Sequence, residues 1–207
     1  MRYLWTDAAV GPGVRGIVAF FHGGAEFGRR PVDLRSLPLL RTRLLRAAAH
    51  PRLAGAGLGT ALLRFGITGW NGADASPVAD ARWALDDLDR RAPSCPIAIV
   101  GHSMGARAAL HVADHPNVRG VLGLAPWFPP DDDVRAVRGK PLVAAHGRQD
   151  RVTSPRATRR LLYRAESTGA QARFVDMGPA GHYMLRRHRS WIDVVCTETT
   201  AMLDEPG

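Results

Sequence analysis

Cysteine, lysine and long apolar runs are scarce in this 207-residue sequence, and each scarcity excludes a class of protein. The two cysteines, Cys95 and Cys196, are too few for a multi-bridge disulfide framework and form no C-x-x-C pair of the kind that binds zinc. No stretch approaches the roughly 20 apolar residues of a membrane span. The N-terminal residues also lack the apolar core of a signal peptide. The composition therefore predicts a reduced, cytoplasmic protein with neither a membrane partner nor a metal.

Lysine occurs once, at Lys140, so all but one of the 28 basic residues are arginine, and the formal net charge is +9. A charge of this size can attract nucleic acid. The arginines are scattered along the chain rather than clustered, however, so we predict no nucleic-acid partner. With 45% hydrophobic and 23% charged residues, the chain has the composition of a folded domain, and its length fits one domain over residues 1–207. Nothing in the sequence predicts its oligomeric state.

Short apolar runs rich in valine and isoleucine alternate with longer segments of helical period. This alternation is typical of an α/β fold, in which helices cover both faces of a mostly parallel sheet. Near-continuous apolar runs suit strands that are buried on both sides. We therefore expect a sheet of about six to seven strands. The predicted strands are residues 16–21, 59–67, 96–100, 118–125, 141–146 and 172–177, with a weaker one at 3–6.

Serine and proline mark the predicted helix boundaries. Ser76 and Ser154 each precede a proline and a helical pattern, so each is predicted to be an N-cap. A leucine-rich helix is predicted over residues 37–49, ending before Pro51 because proline disrupts a helix interior. Residues 190–203 predict a last helix, and residues 126–140 predict a short loop.

The sequence Gly101-His102-Ser103-Met104-Gly105 lies between a predicted strand and a predicted helix. This G-x-S-x-G pattern is called a nucleophile elbow, because a strained turn lifts the serine hydroxyl out of the sheet. The two glycines let strand and helix close together without a side-chain clash. The helix N-terminus favours developing negative charge, so the Met104 N–H is predicted to bind an oxyanion.

A second glycine-rich segment, His22-Gly23-Gly24, follows the strand at 16–21. Glycines allow a backbone N–H to approach a substrate oxygen closely. Gly24 is therefore the predicted second oxyanion donor, with Ala25 as the adjacent alternative.

Two further residues complete the predicted site. Asp150 follows the strand at 141–146, and it is preferred as the acid over Asp176 and over the three loop aspartates Asp131, Asp132 and Asp133. His182 lies on a Gly- and Pro-containing loop after the last strand and is the predicted base. Four other histidines, His50, His111, His115 and His188, are predicted to lie at the surface, and His146 in its "HG" turn is predicted to be structural.

With these pieces in the order Ser, Asp, His, the chain resembles the α/β-hydrolase superfamily, in particular its small single-domain serine hydrolases. The sequence "HGRQD" is similar to the family's HGxxD before the acid, and the "GH" at 181–182 matches the base. The chain is also similar in compactness to dienelactone-hydrolase-like enzymes, although their typical nucleophile is cysteine. Many members carry a helical lid where this chain has only residues 126–140, so we expect an open cleft without a lid.

The resemblance implies acyl transfer to water through a covalent intermediate on Ser103, with no cofactor. The expected substrate is a small ester or thioester, and five aromatic residues on loops after predicted strands are candidates for lining its pocket. The alternatives are an acyltransferase or amidase with the same residues, or a catalytically idle scaffold that serves as a binding protein. The candidate lining residues are Phe27, Trp70, Trp127, Phe128 and Tyr183.

Overall fold

Seven strands form one twisted sheet in the computed structural model, which describes residues 1–204. The strand order is β1-β3-β2-β4-β5-β6-β7, with β1 antiparallel to β3 and all other neighbours parallel. This arrangement confirms the predicted α/β class. The strands are β1 (Tyr3–Thr6), β2 (Gly16–Phe21), β3 (Leu58–Arg64), β4 (Ile97–His102), β5 (Val118–Leu124), β6 (Pro141–His146) and β7 (Gln171–Asp176).

Five α-helices cover the sheet. The first helix packs against the last, while the second packs against the third. Every residue of β2 and β4 is buried, as expected for central strands covered on both faces. The helices are α1 (Leu37–Gly55), α2 (Ser76–Arg91), α3 (Met104–His111), α4 (Pro155–Ser167) and α5 (His188–Asp204). None of them, within residues 1–204, has both the length and the apolar character needed to cross a lipid bilayer.

The structure corrects three boundary predictions. Helix α1 does not stop before Pro51 but continues to Gly55, with the proline inside it. The N-cap of α2 is Ala75 rather than Ser76, and the Ser76 hydroxyl accepts a hydrogen bond from Asn71 instead. The third strand ends at Arg64 rather than at residue 67. The other predicted cap is confirmed, because the Ser154 side chain accepts a hydrogen bond from the Ala157 N–H.

Parallel pairing brings the C-terminal ends of the central strands to one edge of the sheet. Gly101, near the end of β4, lies beside Phe21 of β2 and Gly123 of β5. His146 and Asp176 are paired at the ends of β6 and β7. The loops that follow these strands therefore converge, and they carry the residues of the predicted site. Between β5 and β6 the connection contains one short 3-10 turn at Arg135–Val137, so no helical lid is inserted there.

Candidate active site

Ser103 occupies a tight turn between β4 and α3. Its backbone has φ 53° and ψ −117°, a conformation that is strained for a residue with a side chain. The flanking glycines permit the turn, since a Cβ on Gly101 would lie 2.4 Å from the Ala106 backbone. A Cβ on Gly105 would lie 2.3 Å from the Phe21 carbonyl oxygen. A side chain at either position would clash with the backbone, so both positions of the motif require glycine.

Two backbone N–H groups near Ser103 remain free to donate. Within residues 1–204 neither the Gly24 N–H nor the Met104 N–H has a hydrogen-bond acceptor. The alternative donor named from the sequence, Ala25, already donates to the Thr68 carbonyl oxygen at 2.9 Å. The geometry therefore favours Gly24 over Ala25 as the partner of Met104.

His22 fixes the loop that carries Gly24. Its Nε2 accepts a hydrogen bond from the Phe65 N–H at 3.1 Å, so its Nδ1 carries the proton and donates to the Gly23 carbonyl oxygen at 2.6 Å. Burial lowers the pKa of His22 to about 4, which keeps the ring neutral near pH 7. His22 thus holds the backbone of Gly23 in place and, with it, the loop that carries Gly24.

Asp150 and His182 meet in a buried hydrogen bond. The His182 Nδ1 lies 2.9 Å from Asp150 Oδ2, and the two side chains are 6% and 0% exposed. A proton on Nδ1 leaves the Nε2 of the neutral ring as an acceptor. The predicted acid and the predicted base, which are far apart in the sequence, are thus in contact at the C-terminal edge of the sheet.

The Asp150 carboxylate receives hydrogen bonds on both oxygens. Oδ1 accepts from the N–H groups of Val152 and Thr153, while Oδ2 accepts from the Thr153 hydroxyl and from two histidines. Burial would raise the pKa of Asp150, but the hydrogen bonds from His146, His182 and the two backbone amides outweigh it and hold the pKa well below its usual range. Asp150 is therefore ionised throughout the neutral range.

His146 is a second histidine on the same carboxylate. Its Nε2 lies 3.0 Å from Asp150 Oδ2, and its Nδ1 lies 2.9 Å from the Thr158 hydroxyl, which can donate to it. The ring is fully buried. Sequence reasoning missed this contact, although the spacing of the "HGRQD" motif that contains both residues was the available signal.

His102, the residue before Ser103, contacts the backbone of His182, the predicted base. Its Nε2 lies 3.0 Å from the carbonyl oxygen of His182, while its buried Nδ1 has no hydrogen-bond partner within residues 1–204. Burial and the neighbouring His182 lower the pKa of His102 to about 3. A neutral ring with its proton on Nε2 satisfies this contact and anchors the backbone of the base.

The Ser103 hydroxyl forms no hydrogen bond to His182 within the described part of the chain. Such contacts are often long in a site without substrate and tighten when substrate binds. The structure brings Asp150 and His182 into contact, whereas the link from His182 to Ser103 remains a prediction.

The rival carboxylates have other partners. Asp132 binds Arg107 at 2.6 and 2.7 Å, Asp133 pairs with Arg135, and the Asp176 carboxylate accepts from Arg148 at 2.7 Å. No contact with His182 is formed by these aspartates or by Asp131 within residues 1–204. Among the aspartates considered from the sequence, the structure brings Asp150 to the base.

The five predicted pocket residues differ in how much surface they can offer. Trp70 and Phe128 are each only 3% exposed, so their rings belong mainly to the core. Trp127 is half-buried, whereas Phe27 and Tyr183 are 70% and 50% exposed. The Tyr183 ring lies 5.4 Å from the His182 ring in an edge-on arrangement. Trp127 and Tyr183 therefore combine available surface with a position next to the site, while the lining role of all five stays a prediction.

Comparison with protein families gives one match: the model of the "Alpha/beta hydrolase family" matches residues 18–204. Comparison with curated protein sequences gives no match. Among solved structures, the chain is similar to a serine hydrolase without a lid from Xanthomonas campestris, with a TM-score of 0.71 and 15% identity over 100% of this chain and 91% of that one.

Two further solved structures have the same architecture. Est1E from Butyrivibrio proteoclasticus, solved with ferulic acid bound, has a TM-score of 0.68 and 13% identity over 99% of this chain and 96% of that one. A serine hydrolase homologue from Coxiella burnetii has a TM-score of 0.67 and 17% identity over 95% of this chain and 91% of that one. At such low identity these structures are similar to this chain in fold alone.

Proposed function

Because the chain belongs to the alpha/beta hydrolase family, we propose that it is a serine hydrolase that cleaves small esters or thioesters. The observation that carries the proposal is the buried Asp150–His182 hydrogen bond of 2.9 Å. It lies at the same edge of the sheet as a strained Ser103 and two free backbone donors. This combination of an oriented base, a serine at a helix N-terminus and free N–H groups is what acyl transfer requires.

Ser103 is the proposed nucleophile. Its Oγ attacks the carbonyl carbon of the ester while His182 Nε2 takes the hydroxyl proton, giving a tetrahedral intermediate with a negative oxygen. The N–H groups of Gly24 and Met104 donate to that oxygen. Collapse of the intermediate breaks the bond to the leaving group, which receives the proton from His182, and the acyl group stays on Ser103.

Water completes the reaction by the same steps. His182 Nε2 takes a proton from the water, whose oxygen attacks the acyl carbon, and then returns the proton to Ser103 Oγ as the acid product leaves. Asp150 keeps its negative charge throughout, holds the Nδ1–H tautomer of His182 and stabilises the charged ring. The chemistry needs no metal or organic cofactor.

Two other functions use the same scaffold. An acyltransferase or amidase would differ only in the acceptor or the leaving group, so a substrate panel of esters, thioesters and amides separates them. A catalytically idle binding protein is favoured by one observation, namely that Ser103 and His182 are not hydrogen-bonded. Covalent labelling of Ser103 by a fluorophosphonate probe distinguishes an active serine from an idle one.

The decisive experiment compares Ser103→Ala with a control serine. Ser103→Ala should abolish fluorophosphonate labelling and lower kcat for a p-nitrophenyl ester by roughly 10⁶. Ser94 is a matched control because it also has a positive φ, of 58°, but lies exposed before β4. Ser94→Ala should label and turn over like the wild type, and ester hydrolysis that survives Ser103→Ala would remove Ser103 from its proposed role.

A further inference from the structure

A second buried ion pair lies outside the proposed triad. Arg107, on the first turn of α3, donates from Nε to Asp132 Oδ2 at 2.7 Å and from Nη2 to Asp132 Oδ1 at 2.6 Å. The two side chains are only 14% and 4% exposed. A buried ion pair often contributes little net stability, since desolvation offsets the attraction. A role in the geometry of the neighbouring site therefore explains the pair better than a role in stability.

The Arg107 guanidinium is held between two indole rings. It lies 3.9 Å from the ring centroid of Trp70 and 4.6 Å from that of Trp127. The two indoles themselves meet edge to face at 6.2 Å. Because Asp132 binds two N–H groups of the Arg107 guanidinium, the guanidinium keeps a defined orientation relative to the two indole rings. We call Trp70, Arg107, Trp127 and Asp132 the Arg107 cluster.

Backbone hydrogen bonds tie the Arg107 cluster to both parts of the proposed site. The Trp127 N–H donates to the Ser103 carbonyl oxygen at 3.2 Å, and the Trp70 N–H donates to the Ala25 carbonyl oxygen at 3.0 Å. The backbone of Trp127 is thus hydrogen-bonded to Ser103, and the backbone of Trp70 is hydrogen-bonded to Ala25, the residue after Gly24. Arg107 links the two attachments through its contacts with the rings.

We propose that Trp127 forms an acyl subsite for uncharged, flat groups such as an aromatic ring, and that Arg107 is the positioning residue that holds this indole beside Ser103. The subsite rests on the proposed serine hydrolase function and specifies its substrate class. Trp127 is half-buried, so part of its surface remains available, whereas Trp70 is buried and supports it. Stacking on an indole selects flat groups because offset or edge-on aromatic contacts add to apolar burial.

The charge state of the cluster explains the preference for uncharged groups. Asp132 binds the Nε and Nη2 donors of Arg107 and offsets its positive charge, so the cation attracts a substrate carboxylate less strongly. Arg164 in turn donates to the Asp132 carbonyl oxygen and holds the loop that carries this carboxylate. His111 Nε2 lies 3.5 Å from Asp132 Oδ1 and adds no second anion to the cluster.

The test compares two esters with one leaving group, p-nitrophenyl benzoate and p-nitrophenyl acetate. Trp127→Leu should lower the benzoate-to-acetate ratio of kcat/KM by about five- to tenfold, chiefly through a higher KM for the benzoate. The matched control is Trp83→Leu, since Trp83 is also stacked by an arginine, Arg2, at 4.8 Å, which also pairs with an aspartate, Asp80. That variant should leave the ratio unchanged.

Arg107→Gln tests the positioning role. It should lower the same ratio about two- to fivefold, because the indole loses its support and the ratio cancels any loss that is common to both esters. Fluorophosphonate titration counts intact sites in each sample, so a loss of folded protein does not mimic the effect. If Arg107→Gln yields no folded protein, Trp127→Phe, which keeps an aromatic ring of smaller area, takes its place and should lower the ratio less than Trp127→Leu.

Two outcomes would overturn the subsite. One is an unchanged ratio in both Trp127 variants, and the other is an equal loss on both esters per titrated site. Survival of ester hydrolysis in Ser103→Ala would instead refute the proposed function, so the two failures are distinguishable.

Discussion

Met104 packs against Gly24 so closely that a Cβ on Gly24 would lie 2.5 Å from Met104 Cε. The same Cβ would lie 2.6 Å from the carbonyl oxygen of Thr68, a backbone atom that cannot move without displacing its strand connection. The Met104 side chain and the Thr68 carbonyl oxygen therefore leave no room for a side chain at residue 24.

Gly24→Ala should displace the loop and misalign its N–H. Removing one oxyanion donor typically costs about 10²–10³ in kcat, so a fall of about a hundredfold is expected, with little change in KM. Gly55→Ala is the control, because a Cβ there meets nothing within 4 Å. Steady-state kinetics on a p-nitrophenyl ester provide the measurement, and an unchanged kcat in Gly24→Ala would show that this amide does not bind the oxyanion.

Substitution of the elbow glycines, Gly101 and Gly105, should lower the stability of the fold as well as the activity. Gly105→Ala would bring a Cβ within 2.3 Å of the Phe21 carbonyl oxygen and 2.6 Å of that of His22. Over-packing against rigid neighbours typically costs about 1–3 kcal/mol, so the variant should unfold at a lower urea concentration and lose activity. Equal denaturant midpoints for Gly105→Ala and the wild type would contradict the close packing of β2 against α3.

The parts of the site that could be predicted are marked by short patterns in the sequence around them. Gly101, Ser103 and Gly105 are adjacent residues between a strand pattern and a helix pattern, so their turn could be inferred from them alone. Asp150 and His182 were proposed from their positions after predicted strands, and parallel pairing brings such positions to one edge. The contact between their side chains follows from that topology.

The parts that the sequence did not predict depend on tertiary contacts. Nothing local distinguishes Asp132 from its neighbours Asp131 and Asp133, since only the fold brings Arg107 to one of the three. Helix α1 runs through Pro51 against the local rule, and its packing against α5 and β3 supplies contacts that offset the lost hydrogen bond. Gly24 is the donor that the sequence predicts, but the contact that favours it over Ala25 is tertiary, because the Thr68 carbonyl oxygen that accepts from the Ala25 N–H lies more than forty residues away in sequence.

His146 should act on catalysis through Asp150. His146→Leu removes a donor from a buried carboxylate, which should lower kcat about ten- to a hundredfold, as expected for a hydrogen bond to a charged group. The effect should act through the carboxylate, because the hydrogen bond from His146 helps to hold the pKa of Asp150 low. The measurement is kcat per site titrated with the fluorophosphonate. His146→Gln should lose less activity, because its side-chain amide can still donate a hydrogen bond to Asp150.

The matched control for His146 is His50→Gln, since His50 also faces an aspartate, Asp7 at 3.3 Å, but is 42% exposed. This variant should keep the wild-type kcat. A His146→Leu enzyme that loses stability while its kcat per titrated site stays unchanged would assign His146 to packing alone.

The two buried histidines of the site should make the fold sensitive to mild acid. His22 and His102 are almost fully buried, and their pKa values are lowered to about 4 and about 3. An unfolded histidine titrates near a pKa of about 6.5, so between that pH and about 4 the unfolded chain binds protons that the folded chain does not. The free energy of unfolding should therefore be greatest above pH 6.5 and fall as the pH drops, by about 1.4 kcal/mol per pH unit for each histidine.

Urea unfolding at pH 7, 6 and 5 measures this slope. His22→Gln should make the slope shallower, because one of the two proton-binding differences is removed, whatever the variant's stability at pH 7. His50→Gln removes a histidine whose ring is far more exposed and should preserve the slope. An unfolding free energy of the wild type that is constant from pH 7 to pH 5 would mean that His22 and His102 can take up protons in the folded state. The hydrogen bond from the Phe65 N–H to His22 Nε2, which requires a neutral ring with its proton on Nδ1, would then not hold.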